Sequence, residues 1–170
     1  MLPENTDNSL KLLFYPESIA VIGASNTPGK LGYNVFKNLI SHNYPGRLYP
    51  VNPKLDYVQG VKAFRDISEI KEDLDAAIII VPARNTPQVI KECCAKGVKF
   101  VINEAAGFSE IGEEGIAIEK EIAAALRNSG TRMIGPNCSG LINTHHNMVQ
   151  SLGVVGSLKK GNVGLVAQAG

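Results

Sequence analysis

The side chains with the most chemical potential in this chain fall in five short stretches, each directly after an apolar run. The first is Gly23-Ala24-Ser25-Asn26-Thr27-Pro28-Gly29-Lys30-Leu31-Gly32. Gly23, Ser25, Gly29 and Lys30 together can expose backbone N–H groups and add a full positive charge, which is the chemistry of phosphate binding. The second stretch, Val51-Asn52-Pro53-Lys54, supplies another cation, Lys54. The third, Val81-Pro82-Ala83-Arg84, makes a flat apolar wall. The fourth, Ala105-Ala106-Gly107-Phe108, leaves space. The fifth, Gly135-Pro136-Asn137-Cys138-Ser139-Gly140, concentrates amide, thiol and hydroxyl groups. A turn accounts for its Gly, Pro, Asn and Ser, but not for Cys138.

The spacing narrows the phosphate ligand. Five residues separate Gly23 from Gly29, and Leu31 follows Lys30. A P-loop needs four, followed by Lys and a Mg²⁺-binding hydroxyl, so a nucleoside triphosphatase is disfavoured. The dinucleotide fingerprint G-x-G-x-x-G also fails. Ser25 holds its second glycine position, where a side chain crowds a pyrophosphate. NAD binders place an acid after the second strand, and here stands Lys54. A cation there suits a ribose that carries a phosphate, as in coenzyme A (CoA) or NADP. A flat wall at Val81, Pro82 and Ala83 suits adenine or a pantetheine arm.

These stretches need elements to hold them. Ser18–Gly23, Arg47–Asn52, Ala76–Val81, Val98–Asn103 and Arg132–Gly135 read as strands, although Pro50 interrupts the second. Ala76–Val81 has no polar alternation, as in a strand covered on both faces. Lys30–Ser41 reads as a helix with Leu31, Val35, Phe36, Leu39 and Ile40 inward. Ile67–Lys71 reads as a short helix with Asp66 and Glu69 at capping-box spacing. Pro87–Lys96 follows, with Thr86 as N-cap and Gly97 as stop. Glu113–Asn128 is the last helix, stopped by Gly130, with Ile118, Ile122, Ala125 and Leu126 inward. Such alternation predicts an α/β, Rossmann-like open parallel sheet of five main strands, order 3-2-1-4-5, with helices on both faces. Ligands then sit beyond the carboxyl ends of the strands, at the switch point between strands 1 and 4.

Composition sets the bounds. The chain has 170 residues and a mass of 18.2 kDa, room for about one domain. It is 44% hydrophobic and 19% charged, as ordinary globular proteins are. A net charge of +1 gives no general attraction to nucleic acid or anionic membrane, so an anion site must be local. Cys93, Cys94 and Cys138 form no metal-ligand spacing, and a reducing cytoplasm is the simplest setting for them. Residues 1–9 read as a loose polar tail, not a signal peptide. The longest clear apolar run, Ala76–Val81, is too short to span a bilayer.

Taken together the loops resemble the CoA-binding domain of the NDP-forming acyl-CoA synthetases, on the ADP-forming acetate–CoA ligase branch, related to the alpha subunit of succinyl-CoA synthetase. The matching stretches are LFYPESIAVIGAS at 13–25, PGKLG at 28–32, YPVNPK at 49–54, IIIVPA at 78–83, AAGFSE at 105–110, IGPNCSGLIN at 134–143 and GNVGLVAQAG at 161–170. The resemblance implies that Gly23, Ser25, Gly29 and Lys30 hold CoA phosphates and that Lys54 lies near the phosphorylated adenosine. It implies that Val81, Pro82 and Ala83 line the ligand, with Asn137 and Cys138 near the thiol end. Such enzymes join an acid to CoA with ATP, through a phosphohistidine and an acyl phosphate.

None of His42, His145 and His146 stands in the phosphohistidine context, and the nucleotide-binding region is missing. The expectation is therefore a CoA-binding domain at 10–160 that binds without catalysing, without a metal. Its partners would be CoA and the remaining domains or subunit of a synthetase. Residues 161–170 would be the first strand of a second, flavodoxin-like domain. The alternatives are an NADP-binding oxidoreductase domain or a stand-alone CoA-binding regulatory protein.

Overall fold

The structure, a computed structural model, describes residues 9–168. In chain order its elements are α1 (Ser9–Phe14), β1 (Ser18–Ile22), α2 (Leu31–Ser41), β2 (Arg47–Val51), β3 (Tyr57–Val58), β4 (Val61–Lys62), β5 (Ala76–Ile79), α3 (Thr86–Lys96), β6 (Phe100–Asn103), α4 (Glu113–Arg127), β7 (Arg132–Ile134), β8 (Gly140–Asn143) and β9 (Met148–Ser151). Successive strand side chains point to opposite faces, so the continuous apolar runs build two cores. Ala20, Ile22, Ala77, Ile79 and Val101 meet Ile90 and Cys93 of α3 and Ile122 of α4. Ile19, Val21, Ile78, Phe100 and Ile102 meet Val35, Phe36 and Leu39 of α2. Phe36, Leu39, Ile78, Ile102 and Ile122 are fully buried. Each such side chain contributes about 1.5–3 kcal/mol.

The five-stranded parallel sheet has helices on both faces, but its order differs from 3-2-1-4-5. It runs β2-β1-β5-β6-β7, so the third long strand lies beside β1 and not outside β2. The reason is on the outer edge of β2. There the Phe64 N–H donates to Pro50 O (2.9 Å), and the Asn52 N–H donates to Phe64 O (2.8 Å). The missing N–H of Pro50 falls on this edge and costs no bond to β1. Phe64 therefore fills the third place as a single bridge, and β5 crosses back to the free edge of β1. The switch point lies between β1 and β5.

Several element ends also differ from expectation. Leu31 and Ile40 of α2 are 46% and 36% exposed, while Asn38 is buried. The inward stripe of α2 turns toward the antiparallel hairpin β8–β9. Asn38 Nδ2 donates to Ser151 O (3.1 Å) and Gly153 O (2.7 Å), and its Oδ1 accepts the Val155 N–H (3.1 Å). Thr86 does not cap α3. A 3-10 turn at Ala83–Asn85 leads straight into the helix, and Thr86 Oγ1 is buried with no partner among the described residues. Gly97 ends α3 in the left-handed conformation, as expected. The expected helix at 67–71 is a single 3-10 turn, Ile67–Glu69, and α4 ends at Arg127 with Asn128 as its C-cap, before Gly130.

Of the stretch 161–170 expected as a strand, residues 161–168 are described, and they form no strand and pair with none among the described residues. The expected tail at 1–9 lies outside the described residues except Ser9, which begins α1. Among the described residues no helix is long and apolar enough to cross a membrane.

Candidate functional site

A cleft of about 570 Å³ opens beyond the carboxyl ends of the strands, at the switch point. From the residues named in the sequence it gathers Gly23, Gly29, Lys30, Val81, Pro82 and Asn137. Its wall also takes in Gly32, Ile80, Leu152 and the run Glu104-Ala105-Ala106. A larger hollow, about 710 Å³, lies elsewhere, between α1, the 142–145 turn and 161–164, away from these loops.

Close backbone approach shapes the end of the cleft formed by the 23–32 loop. Gly23 has φ +97°, and a Cβ there would fall 2.2 Å from Ile80 O. A Cβ on Gly32, at the start of α2, would fall 2.0 Å from Gly23 O. Only glycine at both positions lets the helix start press against the strand end. The N–H groups of Leu31 and Gly32 open α2 and take no partner among the described residues. No acidic side chain occupies the first turn. With Lys30 beside them, these donors have the chemistry to hold an anion.

The other named residues stand behind or outside this lining. Ser25 is buried, and its Oγ accepts the Thr27 N–H (3.0 Å), so its hydroxyl shapes the loop. Ala83 starts the 3-10 turn and packs toward Gly107, where an added Cβ would lie 3.1 Å from the Ala83 methyl. Lys54 is exposed on the turn after β2, its N–H bonded to Asn52 Oδ1 (2.9 Å). Cys138 is half-buried, its Sγ donating to Asn103 O (3.4 Å), and burial raises its pKa.

The sequence reading missed Glu104. It is 2% exposed, lies at the end of β6 and lines the cleft. Its Oε1 accepts from Gln150 Nε2 (2.5 Å), and its Oε2 is buried with no partner among the described residues. Burial pushes its carboxyl up to about 7, against a partial lowering by Gln150. Gln150 cannot turn around, because its Oε1 accepts the Leu141 N–H (3.1 Å). A carboxyl ending an apolar strand, just before the small loop Ala105-Ala106-Gly107, was the available signal in the sequence.

The histidines take structural posts. Their ring nitrogens bond to carbonyls: His42 to Val155 O, His145 to Gly161 O and His146 to Pro16 O. Among the described residues, no group of three or more His, Cys, Asp or Glu is placed to hold a metal.

Fold and cleft define a nucleotide-type binding domain with an anion loop at one end and a buried carboxyl at the other. The sequence profile of a family described as "CoA binding domain" matches residues 17–144, and the chain belongs to that family. An ADP-forming acetate–CoA ligase II subunit alpha of Pyrococcus furiosus is 49% identical over 161 residues, covering 95% of this chain and 35% of the relative. An ADP-forming acetate–CoA ligase II of Archaeoglobus fulgidus is 42% identical over 161 residues, covering 95% of this chain and 24% of the relative. The apo structure of the dinucleotide-forming acetyl-coenzyme A synthetase 1 of Ca. Korarchaeum cryptofilum superposes with a TM-score of 0.81 at 35% identity. It covers 85% of this chain and 31% of that one. The chain thus spans about a quarter to a third of the relatives' length.

The site fits CoA on its own evidence. The unpartnered N–H groups and Lys30 suit the diphosphate, and Val81 and Pro82 offer apolar contact to pantetheine. Glu104 Oε2 is an orphaned polar atom beside the remaining space.

Proposed function

We propose that this chain holds CoA in the β1–β5 cleft as the CoA-binding part of an ADP-forming acid–CoA ligase, in the cytoplasm. One observation carries the reading. The switch point brings Gly23, Gly29, Lys30, Val81, Pro82 and Asn137 around one cleft, although they are far apart in sequence. The N–H groups of Leu31 and Gly32, with Lys30, bind the diphosphate. Gly23 and Gly29 let it approach the backbone. Val81 and Pro82, backed by Ala83 and Ala105, guide the pantetheine arm toward Asn137, Cys138 and Glu104. When bound, CoA supplies a thiol nucleophile. Glu104, pushed up to about 7, has the proton affinity to accept the thiol proton at neutral pH. Asn137, whose N–H donates to Ala105 O (3.0 Å) next to Glu104, adds a polar group that orients the thiol end.

The acid would be activated elsewhere in the ligase. The exposed apolar residues Val163, Leu165 and Val166, at 94%, 88% and 101% exposure, would belong to its next domain. Lys54 would serve the 3′-phosphate from the outer turn, and Ser25 would support the loop that holds the diphosphate. The three free cysteines suit a reducing compartment.

Isothermal titration with CoA, 3′-dephospho-CoA and NADPH tests this. CoA should bind more tightly than either of the others. NADPH binding without CoA binding refutes the CoA reading, and equal affinity for CoA and dephospho-CoA refutes the role of Lys54.

A further inference from the structure

The turn after β2 and the hairpin formed by β3 and β4 grip the phosphate loop through carboxamide side chains. Asn52 Nδ2 donates to Ala24 O (2.8 Å), and Gln59 Nε2 donates to Ser25 O (3.2 Å). The same Gln59 Nε2 also donates to Tyr33 O in α2 (3.0 Å), so one amide ties loop to helix. Asn26 returns the grip. Its Nδ2 donates to Tyr57 O (2.8 Å), and its Oδ1 accepts the Gln59 N–H (2.8 Å). The loop carries few bonds of its own besides the Thr27 N–H to Ser25 Oγ and the Lys30 N–H to Thr27 O.

A peptide plane turns this grip into a direction. In a trans peptide the C=O and N–H point opposite ways. Drawing Ala24 O toward Asn52 sends the Ser25 N–H away from it. Drawing Ser25 O toward Gln59 does the same to the Asn26 N–H. Neither N–H has a partner among the described residues. Two successive N–H groups without partners in a turn are donors of the kind that can hold an anion together.

We propose that Gln59, with Asn52, is a positioning residue for diphosphate binding: it holds the loop carbonyls back so that the loop presents N–H donors to the ligand. The proposal rests on the CoA reading above. Gln59 lies outside the cleft lining and touches no part of it except through the loop and α2. It stands at φ +47°, so the turn itself does not need this side chain, and glycine would suit the backbone better.

The test compares the unmodified chain with Gln59→Gly and Gln59→Met. Glycine relieves the left-handed backbone and removes the amide. Methionine keeps the bulk without the donor. Amide-shift NMR titrations with CoA, 3′-dephospho-CoA and pantetheine give the affinities, and far-UV circular dichroism gives Tm. Both variants should bind CoA and dephospho-CoA about tenfold more weakly, the scale of one lost hydrogen bond at a charged ligand. Pantetheine, which lacks the diphosphate, should bind as before, with Tm of Gln59→Gly within about 4 °C of the parent. Unchanged CoA affinity in either variant overturns the proposal, and so does an equal loss for pantetheine. If the unmodified chain fails to bind CoA, the CoA reading itself falls.

Discussion

Glu104→Gln should make this protein more stable at neutral and alkaline pH. In the folded chain the Glu104 carboxyl is held up to about 7, and its ordinary value is 4.5. Burial is the larger cause. Below pH 4.5 the acid is protonated in both folded and unfolded chains and costs nothing. Between 4.5 and 7 the unfolded chain has released its proton while the folded chain keeps it. Stability then falls by about 1.4 kcal/mol for each pH unit, or about 3 kcal/mol across the window. Above 7 the loss is complete. Glutamine copies the protonated acid. Its oxygen can accept from Gln150 Nε2, and its amide nitrogen takes the place of the protonated Oε2.

The variant should therefore match the parent at pH 4.5 and exceed it by about 3 kcal/mol at pH 8. For a chain of this size that is about 8 °C in Tm. Thermal melts followed by circular dichroism from pH 4.5 to 8 measure it. Parallel curves for the two proteins, or a variant less stable at pH 8, would refute the account of a strained buried acid. The same variant should still bind CoA, since the anion loop is untouched.

Other predictions concern the loop and the hairpin. Gly32→Ala puts a methyl group against Gly23 O, an immovable backbone atom, and should cost about 2 kcal/mol or more by urea unfolding while weakening CoA binding. Asn38→Ala strands two carbonyls and an N–H in the 151–155 segment. We expect a loss of about 2–4 kcal/mol in the same assay, and no loss would mean that water satisfies these groups. Lys30→Ala should weaken CoA binding about fivefold at low salt and less at 0.5 M NaCl, since an exposed cation is screened. A salt-independent loss would point to a structural role for Lys30. Cys93, fully buried and with its thiol pushed up to about 12, should resist iodoacetamide in the native protein at pH 8 and react only after unfolding.

What could be read from the chain alone was what local pattern controls. Apolar runs such as Ala76–Val81 and helical spacing such as Val35, Phe36 and Leu39 depend on neighbours a few residues away. They implied the parallel sheet and its covering helices. The glycines of the 23–32 loop and the small residues after each strand also follow from local backbone demands. Their combination carried the family resemblance, which the match over residues 17–144 bears out.

Tertiary structure decided everything that depends on a distant partner. Phe64 took the outer edge of β2 and so sent β5 to the other side of β1. The polar residues Asn38, Asn52 and Gln59 look like surface or turn residues until their carbonyl partners, contributed by remote loops, are in place. Glu104 is an ordinary acid in the sequence. Burial beside the β8–β9 hairpin desolvates it, leaves Oε2 without a partner among the described residues and raises its proton affinity. Desolvation and hydrogen-bond choice are properties of the packed molecule, and in this protein they set the chemistry of the cleft.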